Sequence, residues 1–286
     1  MAGTDPIAEA RAAGDTDADA DALFVLTAAL LTPARFPSVL GDDYPAACAA
    51  LGLQPYADGY GLVFGQDGLG ARWTVVVDDV SLVAVAISSW DCGMAYDLSP
   101  DENSVVAGLP GWPLAVATAA PGVPAPHDPE PEEGDPAPLV PPSGDVWGPA
   151  QRRLGADEVA LQWAAWRAQV SDDATQGDGG VAEPEPGKAV TSSVPDPYDG
   201  VRKALSELRG YLEEAPPVGR VRSLSAAEEG ARILRADGPG WSFVARTDDM
   251  AFVLLDALPR EVLPVARGPR LPALLDALEA MAVRTS

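Results

Sequence analysis

The sequence predicts an α+β protein of two small modules, each an antiparallel β-meander flanked by helices, and three observations carry that prediction. The first is a repeated β-unit. Residues 61–85 read GLVFGQDGLGARWTVVVDDVSLVAV and residues 231–255 read ARILRADGPGWSFVARTDDMAFVLL. With two short gaps, Asp67, Gly68, Gly70, Trp73, Val76, Asp78, Asp79 and Val83 fall opposite Asp237, Gly238, Gly240, Trp241, Val244, Asp248, Asp249 and Val253. Self-similarity at that distance points to a degenerate internal duplication. Shared turn grammar accounts for part of the match, since hairpins select Asp-Gly and strands select Trp, Val and Phe. The second observation is the placing of proline and glycine. The chain holds 29 and 28 of them, many between 110 and 200, and residues 121–142 read PGVPAPHDPEPEEGDPAPLVPP. Such a stretch is semi-extended and builds no core. The third is length: 286 residues hold two domains at roughly 100–200 residues each.

Taken in order, residues 1–20 form an acidic tail too poor in apolar residues to fold. The amino-terminal module covers 21–120. There Asp21 would cap a helix running to Leu31, and a second helix follows Asp43 with Pro45 in its first turn, ending at Gly52. Strands are expected at 60–64, 72–77 and 82–88, with edge strands at 94–98 and 114–118. A long acidic, proline-rich linker spans 121–197 and contains one helix, 156–170. Val159, Trp163, Trp166 and Val170 share a face of that helix. Trp163 and Trp166 make it a candidate interaction helix, although a tryptophan-bearing helix beside a domain more often docks on that domain. The carboxy-terminal module covers 198–286. Its elements are a helix at 199–213, strands at 220–224, 231–236, 241–246, 251–256 and 262–266, and a closing helix at 271–283.

The chemical inventory argues against a conventional enzyme. The one histidine, His127, lies in the proline-rich stretch, which leaves no base for a Ser-His-Asp or Cys-His arrangement and no histidine for a zinc site. Cys48 and Cys92 are isolated thiols that fit a reducing cytoplasm. No phosphate-cradling glycine motif is present, so no metal or cofactor is expected. Paired acids at Asp78-Asp79 and Asp248-Asp249 occupy matching turns, where turn formation explains them. Arg220, Arg222, Arg232, Arg235 and Arg246 are the candidate anion- or peptide-binding residues. Arg220 and Arg222 alternate along one strand, the pattern of a solvated sheet face. Glu228 and Glu229 stand ready to neutralise that face, and the acidic stretch 128–135 of the same chain is a further candidate occupant.

Charge sets the functional expectation. The net charge is −24, and residues 1–145 hold 22 acids against 3 arginines, whereas residues 198–286 hold 13 acids against 12 bases. Such a field repels nucleic acid and anionic membrane and steers a basic partner toward the amino-terminal half. The expectation is a non-catalytic cytoplasmic protein-binding protein of adaptor, chaperone-like or toxin-immunity type, with a basic protein as partner. The alternatives are a small-ligand-binding protein, a carboxylate/arginine enzyme acting on an anionic substrate, and a nucleic-acid mimic. Composition rich in Ala, Gly, Pro, Asp and Arg with two lysines fits a bacterial, GC-rich source.

Overall fold

Two antiparallel β-meanders organise the protein. The computed structural model describes residues 22–94, 97–176, 197–226 and 230–284. The acidic tail, Glu228, Glu229 and the latter part of the expected linker lie outside the described residues. The chain divides into unit 1, Met1–Leu40 with Ala47–Ser143, and unit 2, Gly41–Ala46 with Gly144–Ser286. Among the described residues no helix is long and apolar enough to cross a membrane.

Unit 1 carries a four-stranded sheet in the order β1 (Phe24–Leu31), β2 (Tyr60–Gln66), β3 (Arg72–Val77) and β4 (Val105–Pro110). The short helix α1 (Tyr44–Ala50) lies between β1 and β2 in sequence, and α2 (Val80–Asp91) follows β3. Every residue of β2 is buried. Val63, Val77 and Val83 pack together with Leu23, Val25, Ala28, Leu30 and Ile87, so α2 covers the sheet through the Val83 and Ile87 positions. The stretch after β4 is tied to the same sheet. The Trp112 indole donates to the Gly65 carbonyl (3.0 Å), the Thr74 hydroxyl donates to Gly111 (2.7 Å), and buried Gln66 accepts from the Ala120 N–H (2.9 Å).

Three local expectations are corrected here. Residues 24–31 are a strand, not a helix. The strand pairs with β2 from Phe24↔Gln66 to Leu31↔Tyr60, interrupted at Leu26 by a bulge, and that ladder overrides the weak helical preference of an Ala/Leu-rich stretch. Residues 82–88, expected as a strand, belong to α2. Asp79 caps it by accepting from the Leu82 N–H (2.9 Å), and Val83 and Ala86 are buried while Val85 is 53% exposed. The fourth strand is β4, between the two expected edge strands, whereas 114–118 forms no strand. The 94–98 expectation falls partly on residues outside the described ones.

The proline-rich stretch is not uniformly free either. Arg72 N–H donates to the His127 carbonyl (2.7 Å), His127 N–H donates to Gly70 (3.2 Å), and Gly111 bridges Leu139.

Unit 2 places one sheet between two pairs of helices. The strands β5 (Val221–Ser225), β6 (Arg232–Gly238), β7 (Trp241–Arg246), β8 (Ala251–Leu255) and β9 (Leu258–Val265) run antiparallel in sequence order, and β10 (Val283–Arg284) adds in parallel beside β5. Alternation sorts the side chains. Val221, Leu234, Ala236, Trp241, Phe243, Val253 and Leu255 meet α5 (Pro197–Gly210) and α6 (Leu271–Met281). On the opposite face Val244, Phe252 and Leu254 meet α3 (Pro149–Leu161) and α4 (Trp163–Gln176). The single helix expected over 156–170 is therefore two helices, both within unit 2, separated at Gln162. Trp163 is buried edge-on against Phe252, with ring centroids 5.2 Å apart, a contact worth about 1 kcal/mol beyond its area.

The repeated sequence corresponds to a hairpin in each unit, β2–β3 and β6–β7, and the two copies diverge afterwards: one continues as helix α2, the other as strand β8. The same repeat position also does different work. Asp67 lies in the turn and accepts from the Leu69 and Ala71 N–H groups at 2.9 Å. Its counterpart Asp237 is buried inside β6. Gly238 next to it is required by packing, because a Cβ there would lie 2.3 Å from the Trp241 ring.

Candidate functional site

Three features bear on function: an arginine–aspartate network in unit 2, the tryptophans of α3 and α4 with the groove beside them, and the carboxylate surface of unit 1.

The network is built on the sheet face that alternation gives to Arg222, Arg235 and Asp237. Arg222 and Arg235 are directly opposite in the β5–β6 register. This face was expected to be solvated; it is buried instead, because α3 lies over it and contributes Arg152 and Arg153, both 1% exposed or less. Five guanidiniums meet five carboxylates there. Asp237, fully buried, sits 3.0 Å from Arg222 and 3.7 Å from Arg153 and accepts from the Ser242 hydroxyl at 2.7 Å. Arg235 pairs with Asp157, Arg220 with Asp43 (2.9 Å), Arg153 with Asp42 (2.5 Å) and Arg152 with Asp256 (3.0 Å). Several pairs are close in distance without being aligned as hydrogen bonds, so Arg152 Nε and Asp256 Oδ1 remain without a hydrogen-bond partner.

Electrostatics follows from this geometry. Burial alone pushes the Asp237 carboxyl upward, but Arg153, Arg235, Arg222 and the Ser242 hydroxyl together outweigh it and bring it down to about 2. Burial lowers Arg153 and Arg222 from the usual arginine value, while Asp157 holds Arg235 above it despite complete burial. The network is matched in charge and closed over by a helix, which is the form of an internal structural element.

The five candidate arginines thus separate. Arg220, Arg222 and Arg235 join the network. Arg232 instead bonds Ser223 and lies 3.4 Å from Glu279, and Arg246 holds Asp248 on the turn after β7. Asp128, a candidate occupant of the arginine face, is held by Arg72 in unit 1 (Nε to Oδ1, 2.8 Å), with that guanidinium over the Trp112 ring. Sequence reasoning missed Arg152, Arg153, Asp42, Asp43, Asp157 and Asp256. A signal existed in GPAQRRLGADEVA, where Pro149 is a helix-initiating proline, but Gly155 and the surrounding prolines make that window read as linker.

Three of the four paired acids have local partners, Asp248 being held by Arg246. Asp79 caps α2, and Asp249 accepts from the Trp163 indole (3.2 Å) and from Arg167 (3.1 Å). Of the two helix tryptophans, Trp163 is core, while Trp166 is half-buried and lines a groove with Trp147, Leu254, Val262 and Arg260.

Unit 1 presents a different surface. Asp58, Asp78, Asp79, Asp97, Asp101, Glu102, Glu130, Glu132, Glu133 and Asp135 are all exposed, against one exposed arginine, Arg35, among the described residues. Asp78, Asp79, Asp101 and Glu102 belong to adjoining turns, because the Asp78 N–H donates to the Ser104 carbonyl at 3.0 Å. Hydrogen bonds from backbone N–H groups lower the Asp97 and Asp101 carboxyls below the usual range. Among the described residues the ion pair of unit 1 is Arg72–Asp128, and no cluster of His, Cys, Asp and Glu could hold a metal ion.

No protein-family model, curated protein or solved structure matches this chain.

Proposed function

We propose that this is a non-catalytic binding protein whose acidic unit 1 captures a basic protein partner. The observation that carries this reading is the contrast between the two units. In unit 2 the five arginines of the network are matched by nearby carboxylates, so their fields cancel over short distances. Among the described residues of unit 1, ten exposed carboxylates face one exposed arginine, and that field extends about a Debye length, roughly 8 Å at physiological salt. Such a surface raises the encounter rate with a cationic partner. Apolar contact then sets residence time. Val105 and Val106, 40% and 45% exposed on edge strand β4, directly follow the acidic turn at Asp101 and Glu102. Capture and burial are thereby adjacent along the chain.

The test compares the full chain with the quadruple variant Asp78→Asn, Asp79→Asn, Asp101→Asn, Glu102→Gln. Asparagine keeps the capping ability of Asp79 and Asp101, so the fold is retained while four charges are lost. Affinity capture from native lysate identifies the partner, and stopped-flow mixing measures association at about 20 and 150 mM salt. The expected result is a basic partner whose association slows several-fold with salt and with the charge removal. A partner that associates at the same rate in both salts and with both proteins would contradict the proposal.

A further inference from the structure

We propose that a second site, in unit 2, binds a free amino acid with an aromatic side chain. The site is a groove of about 330 Å³ between α3, α4, β8 and β9, within the range of about 300–1,000 Å³ that holds small ligands. It is independent of the acidic surface of unit 1.

Its apolar lining is Trp147, Trp166, Leu154, Leu254 and Val262. One wall is the stripe of α3 at Gln151, Leu154, Gly155 and Glu158, spaced i, i+3, i+4 and i+7 along a single helix face. Gly155 lets that wall lie against the sheet, since a Cβ there would sit 3.1 Å from the Leu254 side chain. Trp147 is held in place by its indole N–H, which donates to the Leu255 carbonyl at 3.2 Å. The groove therefore has one aromatic wall fixed by a hydrogen bond, that of Trp147.

Two opposite charges complete it. Arg260 is the one non-glycine residue with positive φ (65°) among the described residues, a conformation that costs about 1 kcal/mol or more. Its exposed guanidinium donates to the Gly144 carbonyl at 3.1 Å. Glu158 is exposed and touches only the Gln162 amide, at 3.4 Å. Neither has an ion-pair partner among the described residues. A simple anion in the groove would meet Glu158 as well as Arg260, and a simple cation would meet the reverse. A purely apolar molecule would strip water from both charges without replacing it, a loss for each. A molecule carrying an ammonium and a carboxylate on an aromatic body satisfies both charges and stacks against the indoles.

The experiment titrates the full chain with L-phenylalanine, 3-phenylpropionate and 2-phenylethylamine, followed by calorimetry and by the tryptophan indole resonances. The variants are Arg260→Gly, which keeps positive φ without strain, and Glu158→Gln, on the exposed side of a helix. The expected result is saturable binding of L-phenylalanine that shifts the Trp147 and Trp166 indole signals, with each analogue about tenfold weaker or worse, as loss of one charge-assisted contact requires. Arg260→Gly should erase the preference over phenylethylamine, and Glu158→Gln the preference over phenylpropionate. Absence of binding by L-phenylalanine at about 10 mM, well above the ~1 mM of a weak small-ligand complex, would overturn the proposal. So would equal binding of either analogue, or selectivity unchanged in both variants.

Discussion

Asp237 is the residue on which the arginine network should fail most visibly. Replacing it with asparagine preserves shape and removes the one fully buried carboxylate that faces Arg222 at 3.0 Å and Arg153 at 3.7 Å. Its displacement from the usual 3.8 to about 2 corresponds to roughly 2 kcal/mol at about 1.4 kcal/mol per pH unit. Removal costs more than that, because the guanidiniums stay buried after their partner is gone; broken buried pairs cost about 3–5 kcal/mol. The folded-state value lies below the unfolded one. The carboxylate therefore contributes fully above about pH 4, and that contribution fades as the pH falls from there to about 2. Urea unfolding of the full chain at pH 7 should show Asp237→Asn less stable by about 3–5 kcal/mol. At pH 2.5 the gap to the unmodified protein should narrow by about 1–2 kcal/mol, with the difference in amide protection of β6 and β7 shrinking alongside it. Using the difference between the two proteins cancels the titration of every other acid. A gap under about 1 kcal/mol at pH 7, or one that does not change with pH, would refute the reasoning.

Two further outcomes follow from local packing. Gly238→Ala should destabilise unit 2 by about 1–3 kcal/mol through overpacking against the Trp241 ring, seen as a lower urea midpoint with an unchanged slope. Asp79→Ala should remove the cap of α2 and cost about 1 kcal/mol, whereas Asp79→Asn should cost little; thermal unfolding of unit 1 measures both.

The carboxy-terminal half of the fold was legible because its signals agree. Asp-Gly and Gly-Pro-Gly punctuate alternating apolar runs, and each run of β6, β7 and β8 pairs with its sequence neighbour. Residues 22–31 and 82–88 were read with helix and strand exchanged for one shared reason: both are short apolar runs of Ala, Val and Leu, whose periodicity is ambiguous. Pairing with β2 decided the first. The Asp79 cap decided the second, and that signal was available in the sequence. The arginine site was half legible. Alternation put Arg220 and Arg222 on one face, but nothing local to β5 says that a helix 70 residues earlier covers that face and supplies Arg152 and Arg153. Burial by a remote element leaves no mark on a strand that carries arginines in either case.

Proline has no N–H, so a proline-rich strap can join a sheet chiefly through its carbonyls and its few non-proline amides. That is what residues 120–139 do around β2, β3 and β4, with Gln66 as their buried receptor. Anyone isolating the first unit will be drawn to cut where the prolines begin. A chain ending at 119 would leave the fully buried Gln66 amide with Gly70 alone, without the Ala120 N–H and the Pro124 carbonyl, and would remove the bridges at Ala71 and Gly111. A cut after Ser143 keeps the strap whole, but it parts Asp42 and Asp43 from Arg153 and Arg220 of the second unit.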